Sequence, residues 1–225
     1  MAMRKRLAPA ITVIAGRQHS FVASEATLDI ILQSKPWPSW LRQEMRSNWA
    51  GETGAVAIYR GCQSALPSVA CRAKRHELQK FVEEHVASEE AHLRAMEFLV
   101  SQPGERSWMP ATAFGWALGY LSTKARGEHG MYVTTRAVES FVEEHYGDQI
   151  ARLEAELRAG LAQPTEAYTA LLEVLRGACA DEVAHKEDAA KRIDGGSSTS
   201  VLMDSLHFSA VYWASRVGAA IAKRV

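Results

Sequence analysis

The sequence lacks several features that would place it in a broad class of protein. Its charges balance, with 26 Lys and Arg against 26 Asp and Glu, and it has no basic stretch with interleaved aromatic residues. Such a stretch is typical of nucleic-acid-binding proteins, so we expect no nucleic-acid partner. The three cysteines are odd in number and lack CxxC spacing, which favours a reducing compartment over a secreted disulfide framework.

Long hydrophobic runs are also missing, because no stretch reaches the ~20 apolar residues that a membrane-spanning helix needs. The nearest approach is SWMPATAFGWALGYLST, which is uncharged from Ser107 to Thr123. As a helix it would be roughly 25 Å long at ~1.5 Å per residue, shorter than the ~30 Å hydrocarbon core. We therefore expect it to lie in a membrane surface, with an ordinary buried helix or a dimer interface as the alternative. The residues expected to contact lipid are Trp108, Phe114, Trp116, Leu118 and Tyr120.

Acidic residues are absent from the beginning of the chain, where the first one is Glu25. The basic residues before it are Arg4, Lys5, Arg6 and Arg17. This composition is typical of a transit peptide, a weak signal peptide or a basic tail, and we expect residues 1–35 to form a transit peptide or tail. Because 47% of the 225 residues are hydrophobic, residues 36–225 can bury one sizeable core, so we expect a single domain there.

Strand-like alternation of β-branched residues is absent, and apolar residues instead recur at helical spacing. Proline and glycine clusters divide the chain, as in KPWPSW, QPGERS and DGGSSTS. The sequence predicts an all-α protein with four long helices in a bundle and two further amphipathic helices. The expected helices cover residues 41–65, 77–101, 131–161, 165–193 and 201–223, together with the uncharged segment.

The pentapeptide FVEEH occurs twice, at residues 81–85 and 141–145, which resembles a duplicated metal site. On a helix, however, a Glu and a His share a face and can bind one ion when they stand at i and i+3. Neither histidine of the repeat meets this condition, because Val82 and Val142 occupy the required positions. The pairs that meet it are Glu89 with His92 and Glu182 with His185.

Each of these pairs is preceded by one glutamate, at a distance that fits a helix, a turn and a returning helix. These glutamates are Glu52 and Glu139. The order E, ExxH, E, ExxH is typical of a di-iron site inside a four-helix bundle. Its four carboxylates balance the charge of two ferrous ions, and without a cation such buried carboxylates would cost several kcal/mol each. Carboxylate with imidazole suits iron or manganese better than structural zinc. For any one of the six residues alone, a solvated helix face is the alternative.

Three segments resemble the demethoxyubiquinone hydroxylase family, the di-iron monooxygenases of ubiquinone biosynthesis. AGETGAVAIYRG is similar to the first-ligand helix of the family, GWALGYLS to its membrane-associated segment, and AVESFVEEHYGDQI to its third-ligand helix. The similarity covers residues 41–190, with a weaker match in VGAAIAKRV. It implies a ferritin-like bundle and, as metal ligands, the same six residues that the spacing selects. It also implies that His145 and Tyr146 lie near the irons and help electrons or protons to reach them.

The resemblance further implies a reaction and its components. Two irons would activate O₂ for hydroxylation of the ring of demethoxyubiquinone, a polyprenylated quinone, with electrons from NADH or from a reductase. Because the isoprenoid tail keeps this substrate in lipid, the enzyme would be a peripheral membrane protein. Its membrane would be the matrix side of the mitochondrial inner membrane in a eukaryote, or the cytoplasmic face of the cell membrane in a bacterium. Further expected partners are a lipid-presenting protein of the pathway and a second copy of the chain.

The chain departs from the family pattern in three places. Trp49 stands where the family usually has a histidine, Ser140 where it has a second glutamate, and a short insertion surrounds LPSVACR. None of these departures removes a proposed ligand. They leave the substrate, the reductant and the hydrogen bonds around the ligands open.

Other functions would use parts of the same pattern. Another di-iron oxidoreductase, such as a peroxide reductase or a lipid hydroxylase, would keep all six ligands without a quinone. Iron storage would also keep them, but it needs no exposed apolar segment. A helical membrane adaptor would need no metal.

Overall fold

The computed structural model describes residues 23–193 and 198–225, and within these ranges the chain is helical and has no β-strand. The all-α prediction is therefore confirmed. The helices are α1 Glu25–Leu32, α2 Ser39–Ala65, α3 Arg72–Leu99, α4 Ala111–Arg158, α5 Thr165–Lys191 and α6 Ser198–Ala222. The described residues also include 3₁₀ turns at Leu66–Ser68 and Pro103–Glu105.

Helix α3 begins at Arg72, five residues before the predicted start at residue 77, so RAKRH forms its first turns. The basic side chains of this segment are mostly exposed, and the first fully buried residue of the helix is Leu78. The hydrophobic periodicity that predicts a helix starts only at that residue. A solvent-facing first turn therefore leaves no such signal in the sequence.

A four-helix bundle forms from α2, α3, α5 and the part of α4 that follows Gly127. Its apolar interior consists of two clusters of buried side chains. One cluster includes Leu41, Met96 and Leu171, and the other includes Phe81 and Tyr132. Along each of the four helices, the residues proposed as ligands lie between these two clusters. The bundle therefore holds one polar layer between two apolar ones.

Helix α4 is interrupted at Gly127, whose φ of 62° and ψ of −146° are not helical. Glycine adopts this conformation readily because it has no Cβ. In the sequence, Gly127 and Gly130 lie between the uncharged segment and the predicted helix 131–161, and the interruption falls at the first of them. It divides α4 into a first arm, residues 111–126, and a second arm, residues 128–158, which belongs to the bundle.

Glycines let the first arm of α4 approach α2 at backbone distance. A methyl group at Gly119 would overlap the carbonyl oxygen of Ile58, and one at Gly115 would overlap that of Gly54. On the α2 side, a methyl group at Gly61 would meet the carbonyl oxygen of Trp116 in the same way. We call this contact the glycine seam. It holds the uncharged segment directly against the helix that contains Glu52.

Helix α6 runs antiparallel to the first arm. His207 contacts Ser122, Gly218 lies near Met109, and the carbonyl of Val225 accepts a hydrogen bond from Trp108. Within the described residues, no helix combines the length and apolar character needed to cross a bilayer. The expected linker DGGSSTS falls largely outside the described residues, since it includes residues 194–197.

Helix α1 lies within the segment 1–35, for which the sequence predicted a transit peptide or tail. Its Leu28 and Ile31 are buried, and the helix packs against α5 and α3. Packed structure therefore begins upstream of residue 36. The cluster of basic residues lies in residues 1–22, outside the described residues, and its assignment to a transit peptide or tail stays a prediction.

Candidate metal centre

The six residues selected by spacing meet in the polar layer of the bundle. Helix α2 contributes one glutamate, α3 one ExxH pair, the second arm of α4 one glutamate and α5 the other pair. All six side chains are buried. They are Glu52, Glu89, His92, Glu139, Glu182 and His185.

These residues form two overlapping groups, each with four potential ligand atoms within 4.8 Å of one another. The first group contains Glu52 and His92, and the second contains Glu139 and His185. Glu89 and Glu182 belong to both groups. Two carboxylates shared between two four-residue groups match a pair of ions bridged by carboxylates, with one terminal glutamate and one histidine for each ion.

Burial raises the pKa of three of the four glutamates, because a low-dielectric interior disfavours the charged form. The pKa of Glu52 rises to about 8, and the neighbouring Glu182 and Glu89 contribute to this rise. The pKa of Glu139 is well above its ordinary value for the same two reasons, and that of Glu89 is also raised. Without a cation, the cluster therefore holds protons at neutral pH.

Glu182 differs because it lies between the two histidines. Its Oε1 is 3.0 Å from Nδ1 of His92, and its Oε2 is 3.4 Å from Nδ1 of His185. Burial alone would raise its pKa, but the nearby rings of His185 and His92 outweigh burial and lower it. Burial likewise opposes charge on His185, yet Glu182 and Glu89 raise its pKa to about 10. Two imidazolium rings thus take the place that cations would hold beside these carboxylates.

The donor set fits divalent metal ions. Both oxygens of Glu89, Oε2 of Glu182 and Nδ1 of His185 are buried atoms without a hydrogen-bond partner among the described residues. Buried polar atoms are normally paired, and leaving them unpaired is costly. Bound cations would satisfy these atoms, and a mixture of carboxylate oxygens with imidazole nitrogens suits iron or manganese.

Two further groups that the sequence reasoning missed support the cluster from outside. Nε2 of His92 is 3.0 Å from Oδ2 of Asp181, so this ring has a carboxylate on each side. Asn48 and Gln149 join α2 to α4 through two amide hydrogen bonds of 2.9 Å. Asp181 directly precedes Glu182, and the motif DExxH could have suggested it. Nothing in the sequence pairs Asn48 with Gln149, which are far apart in the chain.

The two residues of the predicted His-Tyr pair have different contacts in the structure. The hydroxyl of Tyr146 donates a 2.5 Å hydrogen bond to Oε1 of Glu52, so this side chain contacts the cluster. His145 points elsewhere, with Nε2 3.6 Å from Oε2 of Glu44, whose other oxygen binds Lys223. Burial, followed by the nearby Lys223, lowers the pKa of His145 to about 3. Its assistance to the metals stays a prediction.

The expected lipid-contacting residues are not equally exposed. Trp108 and Phe114 are 75% and 67% exposed, and Trp116 is also exposed. Tyr120 is half-buried and stacks on Trp116, while Leu118 is half-buried against the second apolar cluster. Leu121, which the sequence reasoning did not select, is exposed on the same arm. Apart from Leu161, all large hydrophobic residues that are exposed among the described residues lie at Trp108, on the first arm of α4 or on α6.

The family model of ubiquinone biosynthesis protein COQ7 matches residues 39–222. The chain belongs to this family. The match confirms the resemblance to the demethoxyubiquinone hydroxylases and extends it through α6. It also covers the helices that contain all six proposed ligands.

Two curated relatives agree with this assignment. The chain is 29% identical over 181 residues to NADPH-dependent 3-demethoxyubiquinone 3-hydroxylase, mitochondrial, of Caenorhabditis elegans, covering 77% of this chain and 82% of that protein. It is 32% identical over 112 residues to 3-demethoxyubiquinol 3-hydroxylase of Rhodospirillum rubrum, covering 48% of this chain and 50% of that protein. The second match therefore spans half of the bacterial relative.

Two of the three departures from the family pattern, Trp49 and Ser140, lie on helices that contain proposed ligands. Trp49 is partly buried, and the guanidinium group of Arg106 lies over its ring at 5.4 Å. Ser140 donates its hydroxyl to the carbonyl of Arg136, on its own helix. Neither residue belongs to the two four-residue groups, and both groups are complete without them.

Proposed function

We propose that this chain is a di-iron monooxygenase that uses O₂ to hydroxylate the ring of demethoxyubiquinone in ubiquinone biosynthesis. The observation that supports this most directly is the pair of buried four-residue groups that share Glu89 and Glu182. A site for a single metal would not need two groups with a common pair of carboxylates. The names of the two relatives supply the substrate, because both describe a 3-hydroxylase of this quinone or its quinol.

Two ferrous ions held there would supply electrons and open coordination positions for the reduction of O₂. The protein's own contribution is to position and enclose them. Glu89 and Glu182 would provide oxygens to both ions, and burial excludes bulk water from the polar layer. Tyr146 holds Oε1 of Glu52 by a hydrogen bond, which orients that carboxylate and leaves its other oxygen for the cluster.

The reaction needs an electron donor. Replacing a ring C–H by C–OH with one atom of O₂ releases the other atom as water and consumes two electrons and two protons. We expect a reduced nicotinamide cofactor to supply these electrons, directly or through a reductase. The sequence predicted NADH or a reductase as the electron source, whereas the name of the Caenorhabditis relative specifies NADPH.

We further propose that the enzyme works at a membrane surface. The isoprenoid tail of the substrate stays in lipid, and the exposed apolar residues lie on two antiparallel neighbours, the first arm of α4 and α6. A mitochondrial location fits the name of the Caenorhabditis relative, and the inner membrane on its matrix side is the expected surface. In a bacterium, the cytoplasmic face of the cell membrane is expected instead. A lipid-presenting partner or a second copy of the chain would bind through the same apolar residues.

Metal analysis followed by a quinone assay tests this proposal. The purified protein should contain about two irons per chain and should convert a short-tailed demethoxyubiquinone to the hydroxylated product, with O₂ uptake that depends on the quinone. Iron binding without quinone-dependent O₂ uptake would indicate storage or another oxidoreductase. A protein that binds no iron would contradict the proposal altogether.

A further inference from the structure

Each half of the metal centre contains one ExxH pair, but the residues around the two pairs differ. On α3, Ser88 precedes Glu89, and on α5, Asp181 precedes Glu182. Asp181 of α5 reaches the histidine of the other pair, because its Oδ2 is 3.0 Å from Nε2 of His92. A carboxylate thus lies directly behind His92.

No such carboxylate from α3 lies behind His185. The corresponding position on α3 is Ser88, whose hydroxyl donates to Asp181 at 3.4 Å and therefore serves the His92 side. Nδ1 of His185 is 3.0 Å from Oε1 of Glu89, so this ring faces the cluster as His92 does. The support behind the two rings, however, differs.

A second histidine lies beside His185 instead. The ring centroid of His85, one turn before Glu89 on α3, is 4.5 Å from that of His185, and the side chain of His85 is 1% exposed. The matching position on α5 is Ala178, which offers no polar group. The ring of His85 therefore has no counterpart on the His92 side.

The hydrogen bond of His85 decides which of its nitrogens is available. Nδ1 is 2.7 Å from the carbonyl oxygen of Phe81, and because a carbonyl accepts only, Nδ1 must carry the proton and donate it. Nε2 is then left as an acceptor. It is buried without a hydrogen-bond partner among the described residues, and the nearest carboxylate, that of Asp188, lies 3.5 Å away. A histidine that binds a metal through one nitrogen donates the N–H of its other nitrogen to such an acceptor.

We propose that His85 is the positioning residue for His185 and that the two metal positions therefore differ. The position at His92 is backed by a carboxylate, which raises the basicity of the ring, and it binds metal more tightly. The position at His185 is backed by an imidazole and binds metal more weakly. This inference rests on the proposed di-iron function, and it assigns a role to a residue outside the six ligands.

Anaerobic titration of metal-free protein with ferrous iron tests the inference. The wild-type protein should bind iron in two steps of different affinity. His85→Leu keeps the volume of the ring but removes its nitrogens, and it should weaken the second step about tenfold or more while leaving the first unchanged. His85→Gln should restore part of the loss, because an amide offers an acceptor. Asp181→Asn is the matched control and should weaken the first step.

The iron spectrum provides a readout that does not depend on activity. With one ⁵⁷Fe per chain, the wild-type protein and His85→Leu should give the same Mössbauer signal, because the iron occupies the position at His92. With two irons per chain, only the signal of the iron at His185 should differ between the two proteins. Unchanged second-step affinity in His85→Leu, or equal weakening of both steps, would overturn the inference. If this variant does not fold, His85→Met, which also lacks the ring nitrogens, should weaken the second step alone, and the same two results would be decisive. Failure of the wild-type protein to bind two irons would instead contradict the proposed function.

Discussion

At the scale of residues, position in the cluster changes the chemistry of identical side chains. Glu52 and Glu182 are both buried glutamates, yet the pKa of Glu52 is raised and that of Glu182 is lowered. The difference arises because Glu182 lies between the Nδ1 atoms of both histidines, whereas burial dominates at Glu52, where the hydrogen bond from Tyr146 opposes the rise only in part. Glu182 also belongs to both four-residue groups, so its loss should matter more than the loss of a terminal carboxylate.

Glu182→Gln should remove most of both irons and abolish hydroxylation, because Glu182 belongs to both four-residue groups. Glu52→Gln should mainly reduce the occupancy of one position, since Glu52 belongs to one group. Iron analysis and product formation would be measured on both purified variants, which keep the shape of the side chain. Two irons per chain in Glu182→Gln would refute the bridging role.

Tyr146→Phe should weaken iron binding about tenfold at the position of Glu52 and reduce turnover, because the carboxylate loses its 2.5 Å hydrogen bond. The matched control is Tyr212→Phe, which removes a hydroxyl that binds Glu144 on the surface. This control should leave iron binding unchanged. Ferrous titration compares the two variants, and identical wild-type affinity in both would show that Tyr146 does not hold Glu52 for the metal.

At the scale of elements, the glycine seam determines how closely the first arm of α4 approaches the bundle. Backbone carbonyls of α2 occupy the space where side chains at Gly115 and Gly119 would lie. Backbone cannot move aside as a flexible side chain can, so even a methyl group must separate the two helices. The glycine seam thus holds the first arm of α4 against the helix that contains Glu52. It depends on glycines, which have no functional side chain.

Gly119→Ala should destabilise the protein by about 1–3 kcal/mol, the usual cost of overpacking, because its methyl group would meet the carbonyl of Ile58. Gly147→Ala is the control, since Gly147 is an exposed helical residue with open space around its Cβ position. It should stabilise the helix by about 0.5–1 kcal/mol. Denaturant unfolding measures both changes, and a neutral Gly119→Ala would contradict the close packing of the seam.

At the scale of the whole molecule, a buried polar layer and an exposed apolar surface act together. The buried carboxylates of the polar layer are costly unless their charge is neutralised. The exposed apolar side chains favour contact with another apolar surface. A metal satisfies the first need, and we expect a membrane to satisfy the second. Both requirements lead to tests on the intact chain.

The metal-free protein should lose stability as the pH rises from about 7 to 8. The folded chain keeps protons on Glu52 and His185, with pKa values of about 8 and about 10, that the unfolded chain releases. His85 and His145, with pKa values lowered to about 4 and about 3, are neutral in both states in this range and do not oppose the effect. Thermal unfolding should show a fall of at least about 2 °C for each kcal/mol lost.

Ferrous iron is the control for this pH dependence. Metal ligands bind in their deprotonated forms, so saturation with iron should abolish the loss of stability with pH. A melting temperature of the metal-free protein that is constant or rises over the same range would show that the cluster does not hold the protons assigned to it.

Phe114→Glu combined with Leu121→Glu should release the protein from anionic lipid vesicles without loss of iron, because both side chains are exposed on the first arm of α4. Leu161→Glu is the matched control, since Leu161 is 75% exposed but lies between α4 and α5, away from that arm. The control should sediment with vesicles as the wild-type protein does. If the double variant still sediments, the first arm does not anchor the protein.

The sequence by itself determined the all-α class, the helix that follows Pro38 and the six residues that meet in the polar layer. These features depend on local geometry, because residues at i and i+3 share a helix face whatever the helix packs against. The joint near Gly127 was predictable for the same reason, since glycine marks a break in the helical backbone.

Only the tertiary structure decided which carboxylates are shared, that Asp181 supports His92, and that His145 faces Glu44 while His85 packs on His185. It also buried Leu28 and Ile31 of a segment whose sequence suggested a tail. These features depend on which faces of distant helices come into contact. Spacing within one helix contains no information about the rotation of its neighbour, so the arrangement around the metals could be determined only from the packed bundle.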